Sequence, residues 1–414
     1  MSAWFPSGKS NSAGWRFDAV SLLAVIGESS VTLHIPALES SWLCLLPRLM
    51  PAPQALLKPS RPTRLPTVPA VVVGAYSGTR VNELNFYADI IHQVDTLQPF
   101  EFHEYNIARR ATDSTLSSYR SYREICSPVM STRTFSALHI LTMMSCAMTA
   151  GLIVWACIIR DGVAIVSLVI LAFTSMLVGL AMWYQPQLAI RPTDAVVPDG
   201  DIIIRTRKGA FIVVHCSEEV ARELYIGTEE AKYVIADGVF GLFMGTGTVS
   251  LMVGVVLLGN CNWTMQTAIG ASYLILNGAY WALGLVPGKQ IWDTSIYEVR
   301  DITPRRLKSA HIQGIDGIKP SYTRTLWYTI QSTKEMNGTS WVSISGAAPE
   351  TPAWGEWERL ACDNRNNPSW DAVGEKDRLM ELFRDREQQR PGEIYGYIAA
   401  NTAPCYVPSR RETL

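Results

Sequence analysis

Hydrophobic positions in this chain fall into two regimes. Four runs, 135–159, 163–184, 238–258 and 263–286, are almost continuously apolar, whereas apolar residues elsewhere come in short patches between polar stretches. Each run is 21 to 25 residues long. At about 1.5 Å rise per residue, that is enough to cross a hydrocarbon core of roughly 30 Å. Backbone polar groups cannot stay unpaired in lipid, so each run predicts a helix. The expected fold class is therefore all-α membrane, with four transmembrane helices as two hairpins, at 135–184 and 238–286.

The segments around the runs predict the rest of the organisation. Residues 1–66 read as a proline-rich, poorly ordered region, because eight prolines fall between Pro36 and Pro69 and proline breaks helices and removes donors. Residues 67–134 form an N-terminal region with a short β-branched run at 70–73, glycine turns at Gly74 and Gly78, and a helical spacing over 81–97. Residues 185–237 contain a small ββα module. Strands at 201–207 and 210–216 are joined by a turn at Lys208 and Gly209, and Ser217 is placed as helix N-cap with Val220 and Leu224 facing inward. Residues 287–390 predict a helical domain with helices near 322–335, 352–362 and 369–386, anchored by Trp327, Trp341, Trp354, Trp357 and Trp370. Residues 391–414 read as a loose tail.

Charge decides orientation. Arg109, Arg110, Arg120, Arg123 and Arg133 precede the first run. Arg191, Arg205, Arg207, Lys208, Arg222 and Lys232 lie between the hairpins, and Lys289, Arg300, Arg305, Arg306 and Lys308 follow the last. The tight turns near 160–162 and 259–262 hold one basic residue between them. By the positive-inside rule both termini and the central loop are cytosolic. No cleavable leader is evident, so the first run is expected to act as an uncleaved anchor. The net charge of −1 gives no reason to expect nucleic acid. The eight cysteines contain no CxxC pair, which argues against a zinc site or a disulfide framework.

Candidate chemistry is sparse. Gly8-Lys9-Ser10 lacks the upstream glycine of a phosphate loop, since Ala3 stands there. Residues 71–78 resemble the strand and glycine turn that open a dinucleotide fold, but the expected reading is a turn that needs glycine's backbone freedom. His92, Asp95, Glu101, His103 and Glu104 include possible metal ligands; Pro99 divides them, and a solvated acidic face is expected instead. His215 and Cys216 are adjacent on a strand and so point to opposite faces, which disfavours a catalytic dyad and predicts a buried thiol beside an exposed imidazole. Catalytic, cofactor-binding and metal residues are each expected to be none. Within the runs, Asn277 is the one strong polar group and a candidate intramembrane polar contact. Gly241 and Gly245 form a GxxxG step and Ser175 and Gly179 a similar one, all candidate helix-packing positions. Arg205, Arg207 and Lys208 form a weak basic group able to touch anionic headgroups. Sequons stand at Asn262 and Asn337.

The ββα stretch 201–225 and the tryptophan-bearing stretch 327–357 resemble segments of fungal multispan membrane proteins of no assigned activity. The resemblance implies a membrane location and carries no site residues. The function expected is a non-catalytic scaffold or accessory subunit, with the lipid bilayer and a protein bound through cytosolic regions as its partners. One alternative is an oligomeric small-solute transporter lined by Asn277, Thr246, Thr248 and Ser250. Another is a membrane-interface enzyme resting on the His92–Glu104 cluster or on His215.

Overall fold

A computed structural model describes residues 31–110, 130–188, 198–313, 319–333, 340–367 and 369–389. Its strands are β1 Val68–Gly74, β2 Arg80–Leu84, β3 Phe102–Arg109, β4 Tyr184–Leu188, β5 Ile202–Arg205, β6 Phe211–His215, β7 Glu229–Tyr233 and β8 Tyr297–Asp301. Its longer helices are α1 Phe86–His92, α2 Ala137–Ile159, α3 Gly162–Met182, α4 Asp237–Leu258, α5 Trp263–Leu283, α6 Tyr322–Ser332, α7 Ser340–Ser345, α8 Pro352–Asp363 and α9 Ala372–Gln389.

The all-α, four-span expectation is overturned. Six strands join in one mixed sheet of order β2-β1-β5-β6-β3-β8, parallel only between β3 and β6. Among the described residues, three helices, α2, α3 and α4, are long and apolar enough to cross a membrane. The fourth run does form a helix of 21 residues, α5. However, Gln266, Thr267, Ser272 and Asn277 dilute its apolar character.

The chain divides into two compact units. The first comprises Met1–Leu65, Pro128–Gln187 and Glu229–Thr294; the second comprises Pro66–Ser127, Leu188–Thr228 and Ser295–Leu414.

In the first unit, α3 packs along α4 and α2 packs on both α3 and α5. Close approach is built on small residues, but not the GxxxG pair. Gly241 and Gly245 face open space, whereas a Cβ on Gly254 would lie 2.9 Å from Leu171 and one on Gly247 2.7 Å from Val178. The Ser167 hydroxyl donates to the Gly254 carbonyl at 2.8 Å. Large apolar side chains point outward, including Ile158 at 75% exposed and Leu242 at 67%. A surface of that kind suits lipid rather than water.

Residues 31–57, expected to be poorly ordered, are folded in this unit, while 1–30 lie outside the described residues. A 3₁₀ turn Trp42–Leu45 packs against α3, and a short helix Ile35–Glu39 packs against that turn. Hydroxyls of the apolar helices satisfy their irregular backbone. Leu49 N donates to Thr149 Oγ1 at 2.9 Å, Arg48 N donates to Ser175 Oγ at 3.2 Å, and Ser145 Oγ donates to the Leu49 carbonyl. Prolines suit this path because each removes one donor that would otherwise need a partner. Gly179 is the contact point: a Cβ there would fall 2.0 Å from the Cys44 carbonyl oxygen.

Arg61 closes the segment. Its guanidinium donates to the Ile235 carbonyl at 2.6 Å, the Ala181 carbonyl at 2.8 Å and Asp237 Oδ1 at 2.9 Å. It also lies 4.6 Å from the Tyr233 ring centroid and 4.4 Å from that of Phe240. Asp237 is exposed, so the ion pair contributes little; the fork on two carbonyls and the ring stacking matter more. Arg61→Lys keeps the charge but loses the planar fork. We expect it to cost about 2 kcal/mol, most of what Arg61→Ala costs, read as a lowered melting temperature of the detergent-solubilised chain. A Lys variant that melts with the wild type would refute this role.

In the second unit, β-branched runs explain the central strands. Ile202, Ile203 and Ile204 of β5 and Ile212, Val213 and Val214 of β6 are all buried, as expected of strands covered on both faces. One face carries Val73, Phe102, Ile203, Phe211 and Val213 beneath α6 to α9, with Trp327, Trp341 and Trp357 buried among them. Val72, Ile107, Ile202, Ile204, Ile212 and Val214 are buried on alternate positions of the same strands, with Tyr87, Leu224 and Tyr225 also buried. The predicted β5–β6 hairpin is present, with Ile202 opposite Val214 and Arg205 opposite Phe211. It does not stand alone as a ββα module, since β1 and β3 extend it on either side. Its helix is brief: Glu218–Ala221 passes into a π-helical turn Arg222–Ile226. Ser217 takes the N-cap position without a side-chain hydrogen bond. The helix expected over 81–97 is β2 followed by α1 and a 3₁₀ turn.

Candidate functional site

The β5–β6 turn organises the first polar constellation. Gly209 adopts φ +77°, closing the turn, and Thr206 Oγ1 accepts from Ala210 N at 3.0 Å. That register carries Asp201 to the position facing His215 at the far end of the hairpin. His215 Nδ1 lies 3.0 Å from Asp201 Oδ2, and Nε2 lies 3.0 Å from Glu104 Oε1 on the neighbouring strand. Ser332 Oγ, at the end of α6, donates to Glu104 Oε2 at 3.2 Å. The Glu104 amide donates to Thr303 Oγ1 at 2.9 Å. His215 is therefore enclosed rather than exposed.

Burial by itself would lower the imidazole pKa. Hydrogen bonds and charge from Asp201 and Glu104 outweigh burial and raise it to about 9. At neutral pH His215 is a cation with both ring nitrogens donating to carboxylates, so it has no lone pair with which to act as a base. The cluster ties β3, β5, β6 and α6 together.

The other expected candidates are dispersed. Cys216 turns to the opposite face, where its thiol donates to the Gly200 carbonyl at 3.2 Å. His92 is buried, with Nε2 2.7 Å from the Tyr225 hydroxyl and its ring edge-on to Tyr105. Glu101 pairs with His103 at 2.9 Å, and Asp95 is exposed. Thus the His92–Glu104 residues, expected to make a solvated acidic face, are divided among three environments. Among the described residues, no group of three His, Cys, Asp or Glu side chains converges in metal-binding geometry. Asn277 is half-buried on α5. Thr248, proposed to line a transport path, donates its hydroxyl to the Met244 carbonyl of its own helix at 2.8 Å.

The larger candidate site is a cleft of about 1220 Å³ in the sheet-bearing unit. Pro69 and Val71 of β1, Arg80 and Asn82 of β2, the β5–β6 turn, and the loop 346–349 enclose it, with Phe100, Tyr322 and Trp354 as aromatic walls. Glycines shape its edge. A Cβ on Gly209 would come within 3.0 Å of the Tyr322 ring, and Gly346 sits at φ +62°. Arg205 is aimed across the cleft by bonds to the Gly346 carbonyl at 2.7 Å and the Tyr322 hydroxyl at 3.4 Å. The Tyr322 hydroxyl in turn donates to the Ala347 carbonyl at 2.7 Å. Arg80 donates to the Ile344 carbonyl at 3.0 Å and to Asn82 Oδ1 at 3.2 Å. Lys208 donates to the carbonyls of Asp95 and Leu97 at 2.9 and 3.0 Å. Arg207 is exposed and has no hydrogen-bond partner among the described residues.

Four cationic side chains and no carboxylate line this cleft. Arg205, Arg207 and Lys208 were legible in the sequence as a basic group. Arg80 and the aromatic walls were not, because long-range strand pairing and the C-terminal helices bring them in.

In comparisons with protein-family models, curated proteins and solved structures, nothing matches this chain.

Proposed function

We propose that the protein is a multi-pass membrane protein working as a non-catalytic scaffold or accessory subunit, with its sheet-bearing unit on the cytosolic side. The observation that carries the reading is the origin of the six-stranded sheet. β1, β2 and β3 precede α2, β5 and β6 lie between α3 and α4, and β8 follows α5. Hydrogen-bonded neighbours share one side of a bilayer, so a crossing by α2 has to be matched by a return through α3 before β5. The basic residues of these same segments favour the cytosol. The non-catalytic part is supported by His215, whose ring nitrogens are both engaged by carboxylates.

Two measurements test this. In microsomes, the sequon at Asn337 should stay unmodified, while a sequon placed on an extended linker after Arg160, between α2 and α3, should be glycosylated; a glycan on Asn337 would reverse the orientation. A mild-detergent pull-down with native mass determination should yield a stoichiometric protein partner. A bare homo-oligomer would remove the accessory-subunit reading.

A further inference from the structure

We infer that the cationic cleft of the sheet-bearing unit is a binding site for a phosphorylated ligand, one carrying at least two negative charges on a body small enough to rest against Phe100, Tyr322 and Trp354. This inference does not depend on the scaffold reading or on the membrane orientation.

The charge balance is the first argument. Arg80, Arg205, Arg207 and Lys208 converge on one concavity, and no acidic side chain lines it. Like charges gathered on a surface repel unless a counter-charge arrives, and here the wall supplies none. Several exposed arginines elsewhere on this unit have carboxylate partners, Arg222 with Glu218, Arg300 with Glu298, Arg359 with Glu356 and Asp363, and Arg378 with Glu375; the cleft wall offers its cations none.

Geometry is the second argument. Arg205 is half-buried and held by neutral acceptors, the Gly346 carbonyl and the Tyr322 hydroxyl, which fix the guanidinium plane without neutralising it. A planar fork held in this way suits bidentate recognition of phosphate oxygens. Arg80 and Lys208 are likewise held by carbonyls, so little side-chain entropy remains to be lost on binding. Four cations exceed what a single carboxylate would neutralise, which favours phosphate. They line a concave cleft with aromatic walls rather than an extended basic stripe, and the chain's net charge is −1, so a nucleic-acid backbone fits less well.

The phosphate can come from a phosphorylated lipid headgroup or from a soluble phosphorylated compound, and one experiment separates the two. The full chain is placed in phosphatidylcholine nanodiscs and titrated calorimetrically with pyrophosphate and with ATP. Parallel nanodiscs containing a phosphatidylinositol phosphate are examined by hydrogen exchange over residues 203–212. Saturable binding of the soluble probes supports a soluble ligand; protection seen only with the phosphoinositide supports a headgroup. Arg207→Glu should weaken whichever interaction is found roughly tenfold or more, without changing the melting temperature, because Arg207 has no structural partner. Arg378→Gln, outside the cleft, should leave it unchanged. Absence of binding in both arms, or equal binding by the Arg207 and Arg378 variants, would overturn the assignment.

Discussion

Trp357→Ala is expected to unfold the sheet-bearing unit under conditions where the wild type is stable. Trp357 of α8 is fully buried, and its indole N–H donates to the carbonyl of Ala372, the first residue of α9, at 2.8 Å. It stands edge-on to Trp354 at 5.2 Å and 6.1 Å from Trp370, which in turn lies 5.7 Å from Trp327. Truncation therefore opens a large cavity at the centre of the aromatic cluster and orphans a buried carbonyl. Changes of this kind cost about 3–5 kcal/mol, against a total stability of about 5–15 kcal/mol for a domain. Trp357→Phe retains most of the ring volume and loses the hydrogen bond, so about 1–2 kcal/mol is expected. Arg359→Ala breaks only surface pairs and should cost under about 1 kcal/mol. Pulse proteolysis across a urea series would rank the three. An alanine variant within about 1 kcal/mol of wild type would show that the cluster does not hold the helices on the sheet.

The second large effect is a loss of stability in mild alkali. The His215 pKa is raised from 6.5 to about 9 in the folded chain. A raised folded-state value means that its stabilisation is fully present below pH 6.5, declines as pH rises, and is gone above about 9. The interval corresponds to about 3 kcal/mol. The β5 and β6 amides should therefore exchange faster at pH 9 than at pH 6.5, after correction for the intrinsic pH dependence of exchange. His215→Gln should abolish that slope and be less stable throughout, because Asp201 and Glu104 lose their cation and a buried carboxylate left unpaired is costly. Identical corrected protection at pH 6.5 and 9 in the wild type would exclude the imidazolium clamp.

What the sequence reveals here tracks how local the determining interactions are. The apolar runs announce helices because the signal lies within each run. The β5–β6 hairpin is equally self-contained, and its turn register alone places Asp201 opposite His215. Glu104, the third member, could not be found that way, because it arrives on a parallel strand paired across a long stretch of chain. β3 and β8 themselves were missed for a related reason. Their sequences, FHEYNIAR and YEVRD, are polar at many positions and lack the β-branched density of β5 and β6. β8 is an edge strand, where charged side chains are tolerated. The segment at 31–57 is not legible from its composition, because its prolines disfavour helices of its own but not docking on helices already formed. Asn277 is polar inside an apolar run, and that polarity helps to separate α5 from the other three helices.

A sheet assembled from three separated stretches also sets the order of events during synthesis. β3 can pair with nothing until β6 has emerged, and its other edge stays open until β8 follows all the apolar helices. Until β5 emerges, β1 and β2 can form only a local hairpin. A nascent chain halted before β8 would thus present an unpaired strand edge and an uncovered apolar face, the features that invite aggregation. Closure of the sheet consequently follows formation of the apolar helices, and its open intermediate persists until β8 and the helices that cover the tryptophan-bearing face have been made.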